Sequence, residues 1–304
     1  MDVEALAALA AVRSQGGVTR AAAVLHVSPS AVSQRLAALA RAAGTPLTER
    51  EGRRLRLTAA GEALADAAVD VAAALERARA AAAGALASPT GVVHVSAFAS
   101  GGELLLPGLL TRLAGRPGVE VRCSDEDVAL DAFAPLTDRL DVVVAHRPEG
   151  VPAWTARPAE VLTTPLLREP LDVAVPLDHP LADREAVTPA DVVGEPWVGV
   201  REGFPVAAVL HAVAGADGPP RVTHRVNDFH VVLALVAAGH GLSLLPRYTC
   251  GHHPGVRLVP LRGVRAGRLV EALVRADKAE RPLVRLVLDE LVALAAEVRA
   301  AHEG

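Results

Sequence analysis

The chain has 304 residues, 51% of them apolar but only 2% aromatic, with a formal net charge of −4 and two cysteines. That composition supplies sizeable cores built from Ala, Val and Leu, excludes a disordered or disulfide-stapled chain, and at this length implies two or three domains. No charge-free apolar run is long enough to cross a bilayer and the N-terminus lacks the basic-then-apolar order of an export signal, so a cytoplasmic protein with no membrane partner is expected.

Residues 3–13 predict a first helix with Leu6, Leu9 and Val12 facing inward. Thr19 is placed to cap a second helix through Ala21, Ala22, Ala23 and Leu25. Ser28-Pro29 then restarts the helix, with Ser28 as N-cap and Pro29 at the first position, where a missing N–H costs nothing. Val32, Leu36 and Leu39 recur at i, i+4, i+7 and mark the buried stripe. The opposite face presents Ser30, Gln34, Ala37 and Arg41, with Ser33 at its edge and Arg35 following Gln34 as a further candidate DNA contact beside Ser28. Small, hydrogen-bonding and without bulk, that face suits a helix entering the DNA major groove. Residues 49–57 then read as a short hairpin whose Arg50, Arg53 and Arg54 meet phosphates. The first 57 residues carry eight arginines against Asp2, Glu4, Glu49 and Glu51, whereas the whole chain is acidic. A basic end on an acidic body is the asymmetry of a chain that meets double-stranded DNA at one end. Residues 1–61 are therefore expected to form a winged helix-turn-helix, all-α with a β wing. A merely solvated surface hairpin is the plainer alternative, and the wing and the charge argue against it.

Thr58 opens a long helix over residues 58–87, a rod of about 44 Å. Leu64, Val71, Ala74, Leu75, Ala78 and Ala81 lie on one side near heptad spacing, a stripe that must be buried against something. Ser88-Pro89-Thr90-Gly91 follows as a linker. From residue 92 strands and helices alternate: strand 92–98, helix 102–114, strand 119–123, helix 128–138 and strand 140–145. This order argues for a parallel sheet with right-handed crossovers. A second set follows, with strands 171–176, 197–200, 221–225 and 242–245, helices 205–214 and 228–238, a return strand 268–275 and a terminal helix 282–301.

The first stretch closely resembles the N-terminal domain of LysR-type transcriptional regulators. The resemblance rests on Ala21-Ala22, Leu25, Ser28-Pro29-Ser30-Ala31-Val32-Ser33, Leu36, Leu39, Gly44, Leu47, Arg50 and Leu57-Thr58-Ala59-Ala60-Gly61. Leu9, Ala40 and Thr48 depart from the family's usual aromatic, glutamate and phenylalanine. Weaker matches at Leu106-Pro107, residues 140–144, His179-Pro180-Leu181-Ala182 and residues 236–246 extend the resemblance over nearly the whole chain. It implies that the long helix is a dimer seam, within a homodimer or homotetramer. It also implies an α/β effector-binding domain, residues 88–304, of periplasmic-binding-protein type. Lobe I would span about 92–161 and 267–304, lobe II about 162–266, with crossing strands near 160–168 and 256–266.

A cleft between such lobes lies at the C-terminal strand ends, where helix N-termini converge. Ser100 and Gly101 sit there; their free N–H groups and the Ser100 hydroxyl could hold an anion, or Ser100 could simply cap the helix. His146 and Arg147 from the first lobe, and Arg201, Phe204, Asn227, Asp228 and Phe229 from the second, complete the candidate effector site. Arg201 would pair a carboxylate, and Asp228 would suit an ammonium or cap its helix. The effector is expected to be a small carboxylate or amino-acid-like metabolite. Asp125-Glu126-Asp127 reads as a solvated loop with Asp127 capping the next helix. Cys250-Gly251-His252-His253 lacks a second pair of ligands for a metal, and nothing local activates Cys123 or Cys250. No Walker loop, GxSxG, HExxH or strand-borne GxGxxG is present, so neither an enzyme nor a cofactor is expected. The expected function is an effector-controlled DNA-binding regulator; the alternative is a ligand-independent architectural DNA binder.

Overall fold

Two glycines set the first turn of the molecule. α1 (Val3–Gln15) is capped by Asp2, which accepts the Ala5 N–H at 3.2 Å, and ends on Gly16 at φ 66°. Gly17 then leads into α2 (Val18–Val24) with no side-chain cap. Thr19 therefore stands inside the first turn and is not the expected cap, because the glycine pair turns the chain without one. Val27 N–H reaches back to the Ala22 carbonyl at 3.0 Å across His26, which is left-handed at φ 54°. α3 (Pro29–Ala43) starts as expected, with the Ser28 hydroxyl accepting the Ala31 N–H at 3.1 Å. The wing strands β1 (Thr48–Glu51) and β2 (Arg54–Leu57) pair antiparallel, Glu51 opposite Arg54. α4 (Ala59–Ala83) begins at Thr58, whose hydroxyl accepts the Gly61 N–H at 3.1 Å. A Cβ at Gly61 would lie 2.0 Å from the Leu47 carbonyl oxygen, so only glycine lets α4 approach the wing this closely.

The computed structural model describes residues 1–52, 54–83, 89–152, 154, 160–215 and 218–303. Arg53 of the expected wing, residues 84–87 of the expected long helix and Ser88 of the expected linker lie outside them, as does the side chain of Arg54. One face of α4 buries Ala65, Ala68, Val69 and Ala73 on its own chain. The face expected to form a seam stays open: Val71, Ala74, Ala78 and Ala81 are exposed, and Leu64 and Leu75 half-buried.

The α/β unit opens with β3 (Gly91–Ala97), α5 (Ala99–Leu113) and β4 (Val119–Asp125). The expected helix 128–138 is instead a 3-10 turn, Leu130–Ala132, followed by the single-turn α6 (Phe133–Leu136). Next come β5 (Val142–Pro148) and β6 (Val161–Pro176), the latter one continuous strand where two were expected. Its Pro165 and Pro170 cannot donate to a ladder, and a register shift between Val270 and Glu271 of its partner accommodates the first of them. β7 (Trp197–Gly199), α7 (Pro205–Ala214), β8 (Val222–Arg225) and α8 (Phe229–Ala237) follow, then β9 (Ser243–Pro246), α9 (Arg247–Cys250) and β10 (Val256–Val259). β11 (Gly267–Arg275), α10 (Ala276–Ala279) and α11 (Pro282–Glu303) complete the chain.

In lobe I the strand order is β4-β3-β5-β11-β6, with β3 parallel to both neighbours and β11 antiparallel to β5 and β6. The second half of β6 leaves this lobe and pairs antiparallel with β9 and β10 in lobe II. β6 and the segment entering β11 thus cross between lobes side by side, joined by Leu171 N–H to the Ala266 carbonyl at 3.1 Å. Separate apolar clusters fill the two lobes. The end of α1 rests on lobe I: the Gln15 amide donates to the Asp138 carboxylate at 2.5 Å, and Ser14 and Arg13 bond Asp138 and Glu160. Among the described residues, no helix is long and apolar enough to cross a membrane.

Candidate functional site

Two surfaces carry polar groups that the fold does not use. The first is α3. Ser30, Ser33, Gln34, Ala37 and Arg41 are exposed along one face, while Val32, Leu36 and Leu39 anchor the other in the core. Ser28 and Ser30 share a hydroxyl contact at 2.8 Å and Ser33 donates to the Pro29 carbonyl at 3.0 Å, so all three hydroxyls lie close to the helix start. The side chains of Gln34 and Arg41 make no hydrogen bond or ion pair among the described residues and are free to reach outward. Arg50 is exposed on the wing. Arg35 turns away from this face: it is half-buried and ion-paired to Glu4 of α1, which makes it a brace between helices.

The second surface is a cavity of about 580 Å³ between the lobes. At its floor, Arg268 and Glu169 face each other across β11 and β6 and are 1% and 0% exposed. Arg268 donates twice to Glu169, at 2.6 and 2.9 Å, and once to the Ser100 hydroxyl at 2.9 Å, with its guanidinium 4.8 Å from the centre of the Phe98 ring. Glu169 also accepts the Tyr248 N–H at 3.0 Å. A buried guanidinium so surrounded meets its carboxylate at low dielectric, which is the arrangement buried charges need. This network binds lobe I, through Ser100 on α5, to the crossing strands.

Across the cavity, Asn227 of lobe II accepts the Arg201 N–H at 2.9 Å and donates to Asp127 of lobe I at 3.1 Å. Burial raises the Asp127 carboxyl pKa, and the Asn227 bond and nearby Arg201 oppose that shift. His146 lies beneath Phe98, ring centres 4.1 Å apart; its Nδ1 has no partner among the described residues. Burial, and then Arg268, hold its imidazole well below its ordinary pKa, so it is neutral. Burial pushes the Cys250 thiol up to about 11.

Of the residues singled out from sequence, Ser100, His146, Arg201, Phe204, Asn227, Asp228 and Phe229 line this cavity. Ser100 is not the helix cap, a position held by Phe98, and its hydroxyl is engaged by Arg268. Gly101 sits behind the lining, where a Cβ would meet the Phe98 ring at 2.4 Å; its smallness makes room for that ring. Arg147 points elsewhere, bidentate to Glu271 at 2.9 Å with Trp154 on the same carboxylate. Asp228 caps α8, accepting the His230 N–H at 2.8 Å. Asp127 caps nothing and faces the cavity, contrary to the solvated-loop expectation, since the turn that follows begins only at Leu130. Glu103, Asp125, Thr249, Cys250 and Arg268 were not anticipated as lining. A charged residue just before the apolar pair Leu269-Val270 of the return strand was the available sign of Arg268, because a buried strand charge must find a partner.

Comparison with known proteins gives a consistent picture. A family model described as the LysR substrate binding domain matches residues 86–296, and one described as a bacterial regulatory helix-turn-helix protein, lysR family, matches residues 3–62. The small neutral protease regulatory protein of Streptomyces lividans is 33% identical over 289 residues, covering 88% of this chain and 79% of that protein. The transcriptional regulator CbbR of Xanthobacter flavus is 29% identical over 297 residues, covering 94% and 85%. Among solved structures, full-length OxyR from Pseudomonas aeruginosa has the same fold, with a TM-score of 0.62 at 23% identity over 97% of this chain and 94% of that one. CbnR complexed with its target DNA gives 0.53 at 23% identity over 97% and 100%.

Proposed function

The chain belongs to the LysR family of transcriptional regulators, and from that premise we propose how its parts divide the work. α3 enters the major groove, Gln34 reads a base edge with an amide that both donates and accepts, and Arg41 and Arg50 meet the phosphates alongside. The observation that carries this reading is the exposed Gln34 and Arg41, unpartnered among the described residues, on a helix whose opposite face buries Val32, Leu36 and Leu39. The open stripe of α4 at Val71, Ala74, Leu75 and Ala78 pairs with a second copy, so that two recognition helices address two half-sites in a homodimer or in a tetramer of two such pairs.

The cavity between the lobes holds the small-molecule effector, a carboxylate or amino-acid-like metabolite whose carboxylate end lies toward Arg201. Supporting this are its volume, its three phenylalanines and its position against the two crossing strands. Ligand that bridges Asn227 and Arg201 of one lobe to Asp127 of the other favours one lobe arrangement over another, which is the condition for a change on DNA.

Gel shifts with a duplex enriched from a random pool test the DNA assignment. Gln34→Ala is expected to cost about 1–3 kcal/mol on that duplex and little on a scrambled one. Arg50→Ala should weaken both and flatten the salt dependence by about one unit. Wild-type affinity and discrimination in Gln34→Ala would remove α3 from the recognition role.

A further inference from the structure

We propose that the effector carries a cationic nitrogen, seated on the lobe I side of the cavity against Asp125, Asp127 and Glu103. The proposal rests on the reading of the inter-lobe cavity as the effector site and adds which charge its ligand must bring.

The charges already present decide the matter. Of the guanidinium groups lining the cavity, Arg268 is committed to Glu169 and Arg225 to Glu202 at 2.7 Å. Arg201 is left, 4.8 Å from the centre of the Phe204 ring and without an ion pair among the described residues. His146 is neutral. On the acidic side, Asp228 holds the start of α8. Glu103 and Asp125 have no ion pair or hydrogen bond to their side chains among the described residues, and Asp127 has only the Asn227 amide. Unpaired carboxylates therefore outnumber the unpaired guanidinium, and they lie together. Asp125 ends β4 opposite Ala97, just before α5, and Glu103 is in the first turns of that helix.

That placement also changes what the start of α5 can accept. A helix N-terminus attracts negative charge, but here Asp125 and Glu103 already supply it. A ligand carboxylate brought to Ser100 would meet both, and the Ser100 hydroxyl is occupied by Arg268. An anionic end is better placed by Arg201 in lobe II, and a cationic end by lobe I. An independent observation points to a ligand at the same floor: His146, 4% exposed and lining the cavity, leaves Nδ1 without a partner among the described residues. Buried polar nitrogens are ordinarily satisfied, and a ligand bearing N–H or oxygen groups would satisfy this one. The raised Asp127 pKa fits a carboxylate that is buried without enough positive charge beside it.

The test uses three probes that share a phenyl ring and differ in charge: phenethylamine, phenylalanine and 3-phenylpropionate. Each is titrated by calorimetry into the full-length protein and into an Asp125→Asn, Asp127→Asn double variant whose folding is checked by thermal melting. The two nitrogen-bearing probes are expected to bind at least about tenfold more tightly than 3-phenylpropionate, and the double variant to erase that advantage. Tighter binding of 3-phenylpropionate, weakened by Arg201→Ala, would overturn the proposal while leaving the cavity as the effector site. Binding of no probe at millimolar concentration, or binding indifferent to both the double variant and Arg201→Ala, would overturn the cavity reading and the proposal together.

Discussion

Among the described residues, the buried polar and charged side chains belong to the effector unit, with Arg13 at the end of α1 joining them where it meets Glu160 of lobe I, whereas the other buried side chains of α1 to α4 are apolar. The DNA-binding unit keeps its hydrogen-bonding groups on one open face and packs Ala, Val and Leu behind them. The lobes bury Arg268 with Glu169, Glu271 with Arg147, and Asp172 with Arg247, the last two pairs against a half-buried or more exposed arginine. The contrast follows from what each unit must do. A surface that reads DNA needs a rigid support and no interior chemistry. A pair of lobes that meets around a ligand needs charges at the junction, and these fix the relative register of strands that apolar packing alone would let slide. Such pairs add little net stability over apolar residues of similar shape, yet breaking one leaves a buried charge alone.

The largest expected effect is therefore in the lobes. Glu169→Ala strands Arg268 and removes the acceptor of the Tyr248 N–H, and should cost about 3–5 kcal/mol. Urea denaturation should show the loss in the effector unit, while the spectroscopic transition of the DNA-binding unit stays in place. A cost below about 1 kcal/mol would mean that water reaches the floor of the cavity and the contrast between the two units is weaker than stated.

A smaller effect sharpens the comparison from the cavity wall. Burial disfavours the Cys250 thiolate and places its pKa near about 11, so raising pH generates the reactive form only in strongly alkaline solution. Alkylation of Cys250 followed by mass spectrometry should be slow at pH 7 and climb about tenfold for each pH unit up to that value. Cys123, exposed on β4, should be modified first. Rapid labelling of Cys250 at neutral pH would show that this wall opens freely.

The same division governs what could be read from sequence. α3 is a local pattern: Ser28, Pro29 and the Val32, Leu36, Leu39 stripe lie within about three turns, and helical periodicity alone places Gln34 and Arg41 outside. Seven lining residues of the cavity, from Ser100 to Phe229, are legible because strand ends are positions in a chain order. The floor was not legible. Arg268 meets Glu169 across 99 residues and Ser100 across 168, and no local pattern encodes such a pairing. Asp127 was misassigned for the same reason, since its partner Asn227 lies 100 residues away in the other lobe. Thr19 is not a cap because Gly16 and Gly17 turn the chain without one, a local feature written in the sequence itself.

The central claim is that α3 reads DNA in pairs held together by α4, and enrichment from a random duplex pool tests it most directly. The wild-type chain should select an inverted repeat whose half-sites are spaced by whole helical turns. Leu75→Glu, which sets a charge in the open stripe of α4, should sediment as a smaller species and select a single half-site at lower affinity. Enrichment of an asymmetric sequence by the wild type, or an unchanged inverted repeat from Leu75→Glu, would contradict the assignment of that stripe to the pairing of two recognition helices.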